Sequence, residues 1–153
     1  MKNSLQIEPQ VYQELVDFYG QLFDMPPLSA KIYAYLAFDF ERKGLCFDDL
    51  VETFCASKSS ISASINFLLN AELIKSLNKI DERKRYFLIN ESFINIRFEE
   101  IVTRMKREIK ILDQLSDFRR TRVDNTEYEK RYSLYKSLLE KNIANIQETL
   151  DKL

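Results

Sequence analysis

Two short stretches carry side chains whose types and spacing suit contact with a nucleic acid. The first, SKSSISASIN, runs from Ser57 to Asn66. Ser57 has the hydroxyl an N-cap needs, able to accept a bond from an otherwise unpaired amide in the first helical turn. Behind it Ile61, Ile65, Leu68 and Leu69 recur at helical spacing and would bury one face. Lys58, Ser59, Ser60, Ser62, Ala63 and Asn66 are left mostly on the opposite face. Small or hydrogen-bonding side chains at the N-terminal end of a helix are what meets base edges in the major groove. The second stretch holds Lys79, Arg83, Lys84 and Arg85 between two apolar runs. Long cations at a hairpin tip reach phosphates, and Arg enters a narrow minor groove. The bland alternative is a solvated turn whose charges bind nothing.

The elements that must hold these groups are also legible. A short helix over Asp48–Phe54, a turn through Cys55 and Ala56, and the helix opened by Ser57 precede two strand-like runs, Leu73–Leu77 and Arg85–Ile89. Residues 78–84 join those runs, which predicts a winged helix-turn-helix. Upstream, Pro9 suits a first helical position, and Val11, Leu15, Phe18 and Leu22 predict a buried face on a helix stopped by Met25-Pro26-Pro27. A further helix is expected over Leu28–Phe40, with Ile32, Tyr35 and Leu36 inward, and a short third wing strand over Gly44–Cys46. Downstream, Ser92–Arg120 carries Ile94, Phe98, Ile101, Met105, Ile109 and Leu112 along one side. After a break at Thr121–Asn125, Thr126–Leu153 carries Tyr128, Tyr132, Tyr135, Leu139, Ile143, Ile146 and Leu150. Such narrow stripes suit packing on partner helices. The three tyrosines read as core, with a ligand-binding box as the alternative.

SKSSISASINFLLNAELI followed by DERKRYF resembles the MarR superfamily of transcription regulators, most closely its GbsR-type branch. FYGQLFDMPPLSAKIYAYLAF, residues 18–38, is similar to that branch's helix, proline-bearing linker and second helix, so the resemblance covers about residues 10–90. It implies a homodimeric DNA-binding regulator, often a repressor released by a ligand. Ser57, Lys58, Ser60, Ser62 and Arg83 match the family pattern, whereas Ala63 stands where the family commonly has Arg or another large polar residue.

Overall charge is −1, but its distribution is bipolar. Residues 57–86 hold six Lys/Arg against three Asp/Glu, while residues 1–56 hold four against nine. A phosphate feels the local field, not the average. With 45% hydrophobic residues, two Gly and three Pro, the chain is expected to be ordered and helix-rich, mainly α with a small β wing. An enzyme is not expected: there is no His, no Gly-rich phosphate loop and no nucleophile-elbow motif, and no cofactor or metal is implied. Cys46, just before FDDL, stands where the family usually has a Ser or Thr cap. It reads as a buried small hydrophobe, with a redox-sensing thiolate at the helix N-terminus as the alternative. Cys55 reads as packing.

Three regions follow: residues 1–24 as an N-terminal dimer-contact helix, 25–91 as the DNA-binding winged domain, and 92–153 as a helical dimerisation region. The expected function is a cytoplasmic, sequence-specific transcription regulator. It would bind double-stranded DNA at a palindromic operator as a homodimer and respond to a small-molecule effector, with no membrane contact. The competing readings are a winged-helix protein-interaction module and a non-inducible architectural DNA-binding factor.

Overall fold

The computed structural model describes residues 4–153. The chain divides into two compact units, residues 1–91 and 92–153. The first contains α1 (Pro9–Leu22), α2 (Pro27–Leu36), β1 (Leu45–Cys46), α3 (Phe47–Phe54), α4 (Lys58–Asn70), β2 (Ile74–Asn78) and β3 (Arg85–Ile89). The second is a helix pair, α5 (Phe93–Arg120) and α6 (Thr126–Leu150). The first unit is a winged helix-turn-helix preceded by a helix.

Pro9 does open α1, and the Glu8 carboxylate caps it by accepting from the Gln10 and Val11 amides at 3.3 and 2.6 Å. The face that α1 buries differs from the predicted one. Val11, Phe18 and Leu22 are exposed, and Val16 is buried instead. Tyr19 and Phe23, on the same side as Val16, set their rings edge-on against Tyr33 of α2, with centroids 4.8 and 6.4 Å apart. The helices approach closely at Gly20, where even a Cβ would sit in ordinary contact, 3.6 Å from the Ala30 methyl. Helix α2 buries nearly every side, including Ile32, Tyr35 and Leu36 as expected. It ends at Leu36 rather than at Phe40, because the Asp39 carboxylate accepts from the Lys43 and Gly44 amides at 3.1 and 2.8 Å and commits the chain to a loop.

The sheet is antiparallel with order β1-β3-β2, pairing Leu45 with Phe87 and Ile74 with Ile89. Gly44, at φ 75°, leads into β1 where a Cβ would come within 2.9 Å of the Tyr86 Cβ, so only glycine fits. The sheet packs Leu45, Tyr86, Phe87 and Leu88 into a core shared with α2, Leu50 of α3, and Ile61, Ile65 and Leu68 of α4. Fully burying an aliphatic side chain contributes about 1.5–3 kcal/mol, which makes this core the main source of stability in the unit.

In the helix pair, Asp113 meets Tyr132 and Lys136, and Ser116 meets Glu129, so the helices run antiparallel. Val102, Leu139 and Ile143 form the buried seam. Ile94, expected to face inward, is exposed, and Tyr135 is largely so. The tyrosines are not fully packed core: Tyr128 and Tyr132 are half-buried and Tyr135 is exposed. Tyr132 donates to Asp113 at 2.6 Å and Tyr135 to Glu108 at 2.5 Å. Tyr128 stacks on Tyr132 with the Arg119 guanidinium 3.7 Å over its ring. Burial and its bond to Asp113 raise the Tyr132 hydroxyl's pKa, so it stays a hydrogen-bond donor tying the helices together.

Candidate nucleic-acid interface

Helix α3 sets up the reading surface. Its first turn carries Asp48 and Asp49, favourable against the positive end of the helix dipole. Asp49 also accepts from the Cys46 amide at 3.1 Å, half of a capping box with the thiol in place of the usual hydroxyl. Burial pushes the Cys46 thiol above its ordinary pKa, and the Asp49 carboxylate beside it adds to the effect. A neutral, buried thiol is a packing group and opposes the redox reading. Cys55 is a different case: it is exposed, not packed. It closes α3 in the left-handed region at φ 48°, which turns its side chain outward while the thiol donates back to the Glu52 carbonyl at 3.5 Å.

From that turn, extended backbone at Ser57 starts α4. The Ser57 hydroxyl accepts from the Ser60 amide at 3.2 Å and donates to the Ser60 hydroxyl at 2.8 Å, with the Ser59 hydroxyl 3.2 Å away. Ser57 is therefore spent on the cap, and it fixes where Ser60 stands. Ile61, Ser64, Ile65 and Leu68 anchor the helix to the core. Lys58, Ser59, Ser60, Ser62, Ala63 and Asn66 are all exposed, the face predicted from spacing. Among the described residues, Ser62, Asn66 and Lys58 have no intramolecular side-chain hydrogen bond or ion pair. Lys58 occupies the first helical position, where the helix dipole disfavours a cation and an approaching phosphate would relieve that cost.

The wing sorts its cations into two kinds. Lys79 is half-buried with its Nζ 3.8 Å above the Tyr86 ring, and Arg85 lies 5.3 Å from the Phe87 ring centre. Arg83 and Lys84 are exposed and, among the described residues, have no partner. The Tyr86 hydroxyl donates to Glu82, a bond that pushes its pKa up to about 12 and stiffens the hairpin. At the far end of β3, Arg42 donates to the Ile89 carbonyl at 3.0 Å and pairs with Glu91 at 2.7 Å. Hydrogen bonds link Ser57, Ser59 and Ser60 to one another, but none links them to the wing cations among the described residues. The Lys79 and Tyr86 contact depends on cross-strand register, with Leu77 opposite Tyr86, and has no signal in the one-dimensional pattern.

No protein-family model and no curated protein matches the chain. Among solved structures, the crystal structure of a transcriptional regulator is similar over 94% of this chain and 95% of its own, at 15% identity and a TM-score of 0.56. MepR, a transcription regulator of the Staphylococcus aureus multidrug efflux pump MepA, is similar over 87% and 90%, at 16% identity and a TM-score of 0.44. The S. aureus MepR–DNA complex is similar over 71% and 90%, at 17% identity and a TM-score of 0.45. At such identities these are likenesses of fold.

Proposed function

We propose that the chain is a sequence-specific DNA-binding transcription regulator in which α4 reads the major groove and the β2–β3 hairpin contacts the flanking backbone or minor groove. The observation that carries this reading is the pairing of a capped helix with uncommitted Lys58, Ser62 and Asn66 on its outer face and a stiffened hairpin with uncommitted Arg83 and Lys84. Ser62 and Asn66 are the base-reading candidates, with Ser59 and Ser60 able to contact sugar, phosphate or base edges at the helix start. Ser57 acts by holding that start in place. Lys58, Lys79, Arg83, Lys84 and Arg85 supply positive charge, and Lys79 and Arg85 must leave or share their aromatic partners to do so. Ala63 offers only a methyl group, so selectivity leans on Ser62, Asn66 and DNA shape. The transcriptional regulator whose fold the chain shares accords with this reading.

The finer elements of the proposal are a homodimer on a palindromic operator and repression relieved by a small-molecule effector, as in the GbsR-type branch that residues 10–90 resemble. Exposed apolar stripes on α1, α5 and α6 support the dimer. The test is duplex affinity as a function of salt. Affinity should fall steeply with salt, and Arg83→Ala should weaken binding to most sequences and reduce the slope by about one unit. A protein-interaction module would give no salt-dependent duplex binding and no response to Arg83→Ala.

A further inference from the structure

We propose that Ile80, at the tip of the β2–β3 hairpin, is an apolar wedge that enters the minor groove of the bound duplex and unstacks a base step. Among the described large hydrophobic side chains it is the most exposed, at 91%. The Glu82 amide donates to the Lys79 carbonyl at 3.2 Å, closing a tight turn with Ile80 and Asp81 at its two central positions. Asp81 takes the left-handed conformation, at φ 64°, and belongs among the residue types that turns favour. Ile80 does not: a β-branched aliphatic side chain contributes nothing to a turn and leaves its hydrocarbon in water.

The tip is also held firmly enough to present that side chain. Glu82 is bonded to the Tyr86 hydroxyl, and Lys79 lies on the Tyr86 ring, so both residues flanking the turn centre are tied to β3. The residues flanking Ile80 at the tip are charged, Lys79, Asp81, Glu82, Arg83 and Lys84, and the nearest exposed apolar side chain along β2 is the partly exposed Leu77. A protein partner would gain one isolated apolar contact at the cost of desolvating those charges. A minor groove offers matching chemistry, with phosphates along its walls for Lys79, Arg83 and Lys84 and, between adjacent base pairs, apolar base faces that an inserted aliphatic side chain parts, while Glu82 is engaged by Tyr86. This inference rests on the DNA-binding reading above.

The experiment places 2-aminopurine at successive positions of a duplex recovered by selection from a random-sequence pool, and follows fluorescence on binding. The full-length protein should raise the signal at one step beside the recognition sequence. Ile80→Ser should remove that rise and weaken binding roughly five-fold, the loss of a half-buried aliphatic contact, with the salt slope unchanged because no charge is altered. Ile80→Leu should retain both. Bound wild-type protein without a fluorescence rise, or an Ile80→Ser variant with unchanged rise and affinity, would overturn the wedge and leave DNA binding standing. Absence of duplex binding by the wild type at low salt would overturn both.

Discussion

In the winged unit Ile32, Leu45, Leu50, Ile61, Leu68 and Leu73 are 0–2% exposed, whereas in the helix pair the buried aliphatic side chains are Val102, Leu139 and Ile143, at 5–8%. The helix pair also leaves Ile111, Leu115 and Phe118 of α5, spaced by four and three, and Leu134 and Leu138 of α6 at least half exposed. The first unit closes its own core and, on α4 and the wing, turns small polar and basic groups outward, while α1 keeps Val11, Phe18 and Leu22 exposed. The other has more apolar surface than two helices can cover, and it supplements its seam with Asp113, Tyr132, Lys136, Glu129 and Arg120. Surface of the first kind suits a polyanion. Surface of the second kind suits another apolar surface, which in the proposed homodimer is that of a second copy of the chain. At the other end of the pair, an apolar cleft of about 260 Å³ opens between the start of α5 and the end of α6, lined by Ile94, Phe98, Ile146, Leu150 and Leu153.

The largest expected effect breaks the comparison at the helix pair. Leu134→Glu with Leu138→Glu should leave the winged unit folded but make the protein monomeric in sedimentation. Operator affinity should drop by about 10²–10⁴-fold, because the second half-site is no longer delivered at high effective concentration. If the doubly substituted protein stays dimeric, the α6 stripe is not the interface.

A matched pair of truncations sharpens the contrast. Leu50→Ala should destabilise the winged unit by about 2–5 kcal/mol, the usual range for an aliphatic core position. Leu134→Ala, at a position 74% exposed, should leave denaturant stability of the dissociated monomer nearly unchanged. Equal effects at the two sites would mean that Leu134 is covered within the single chain and not left open for a partner.

Acid should separate the units more gently. The Asp113 carboxyl is held below its ordinary pKa by the Tyr132 hydroxyl and then by Lys136, and the Glu129 carboxyl by Arg120. A carboxylate depressed in the folded state contributes stability above its unfolded pKa and loses it as pH falls through the folded one. The helix pair should therefore lose thermal stability as pH falls from the ordinary carboxylate range to below it. Asp113→Asn should flatten that dependence, as followed by circular dichroism melts. A small effect is also expected at the cap: Ser57→Ala should cost about 1 kcal/mol of stability. It should also loosen discrimination between operator variants, since Ser60 loses the hydroxyl that fixes it.

Much of this was legible because it is local. The Ser57 cap, the outward face of α4, the third strand at Leu45–Cys46 and the span of β3 follow from rules that act within a few residues. The α1 face was not, because two stripes on that helix have helical spacing. Val11, Leu15, Phe18 and Leu22 form one, and Tyr12, Val16, Tyr19 and Phe23 form the other. Ring contacts of Tyr19 and Phe23 with Tyr33 select the second. The end of α2 depends on Asp39 reaching amides four and five residues on, and the state of Lys79 depends on a ring across the hairpin. Within the wing, Ile80 is hidden in the sequence by the charges around it, and only its exposure at the turn brings it out.

The most direct test of the division into a reading unit and a pairing unit is selection of bound fragments from a random-sequence duplex pool with the purified full-length protein. The expected result is an inverted repeat whose half-sites are centred about one helical turn, 10–10.5 base pairs, or a multiple of it apart. The repeat should disappear in favour of a single weak half-site when the selection is repeated with the Leu134→Glu, Leu138→Glu protein. No enriched sequence, or an asymmetric site that is indifferent to those substitutions, would contradict it.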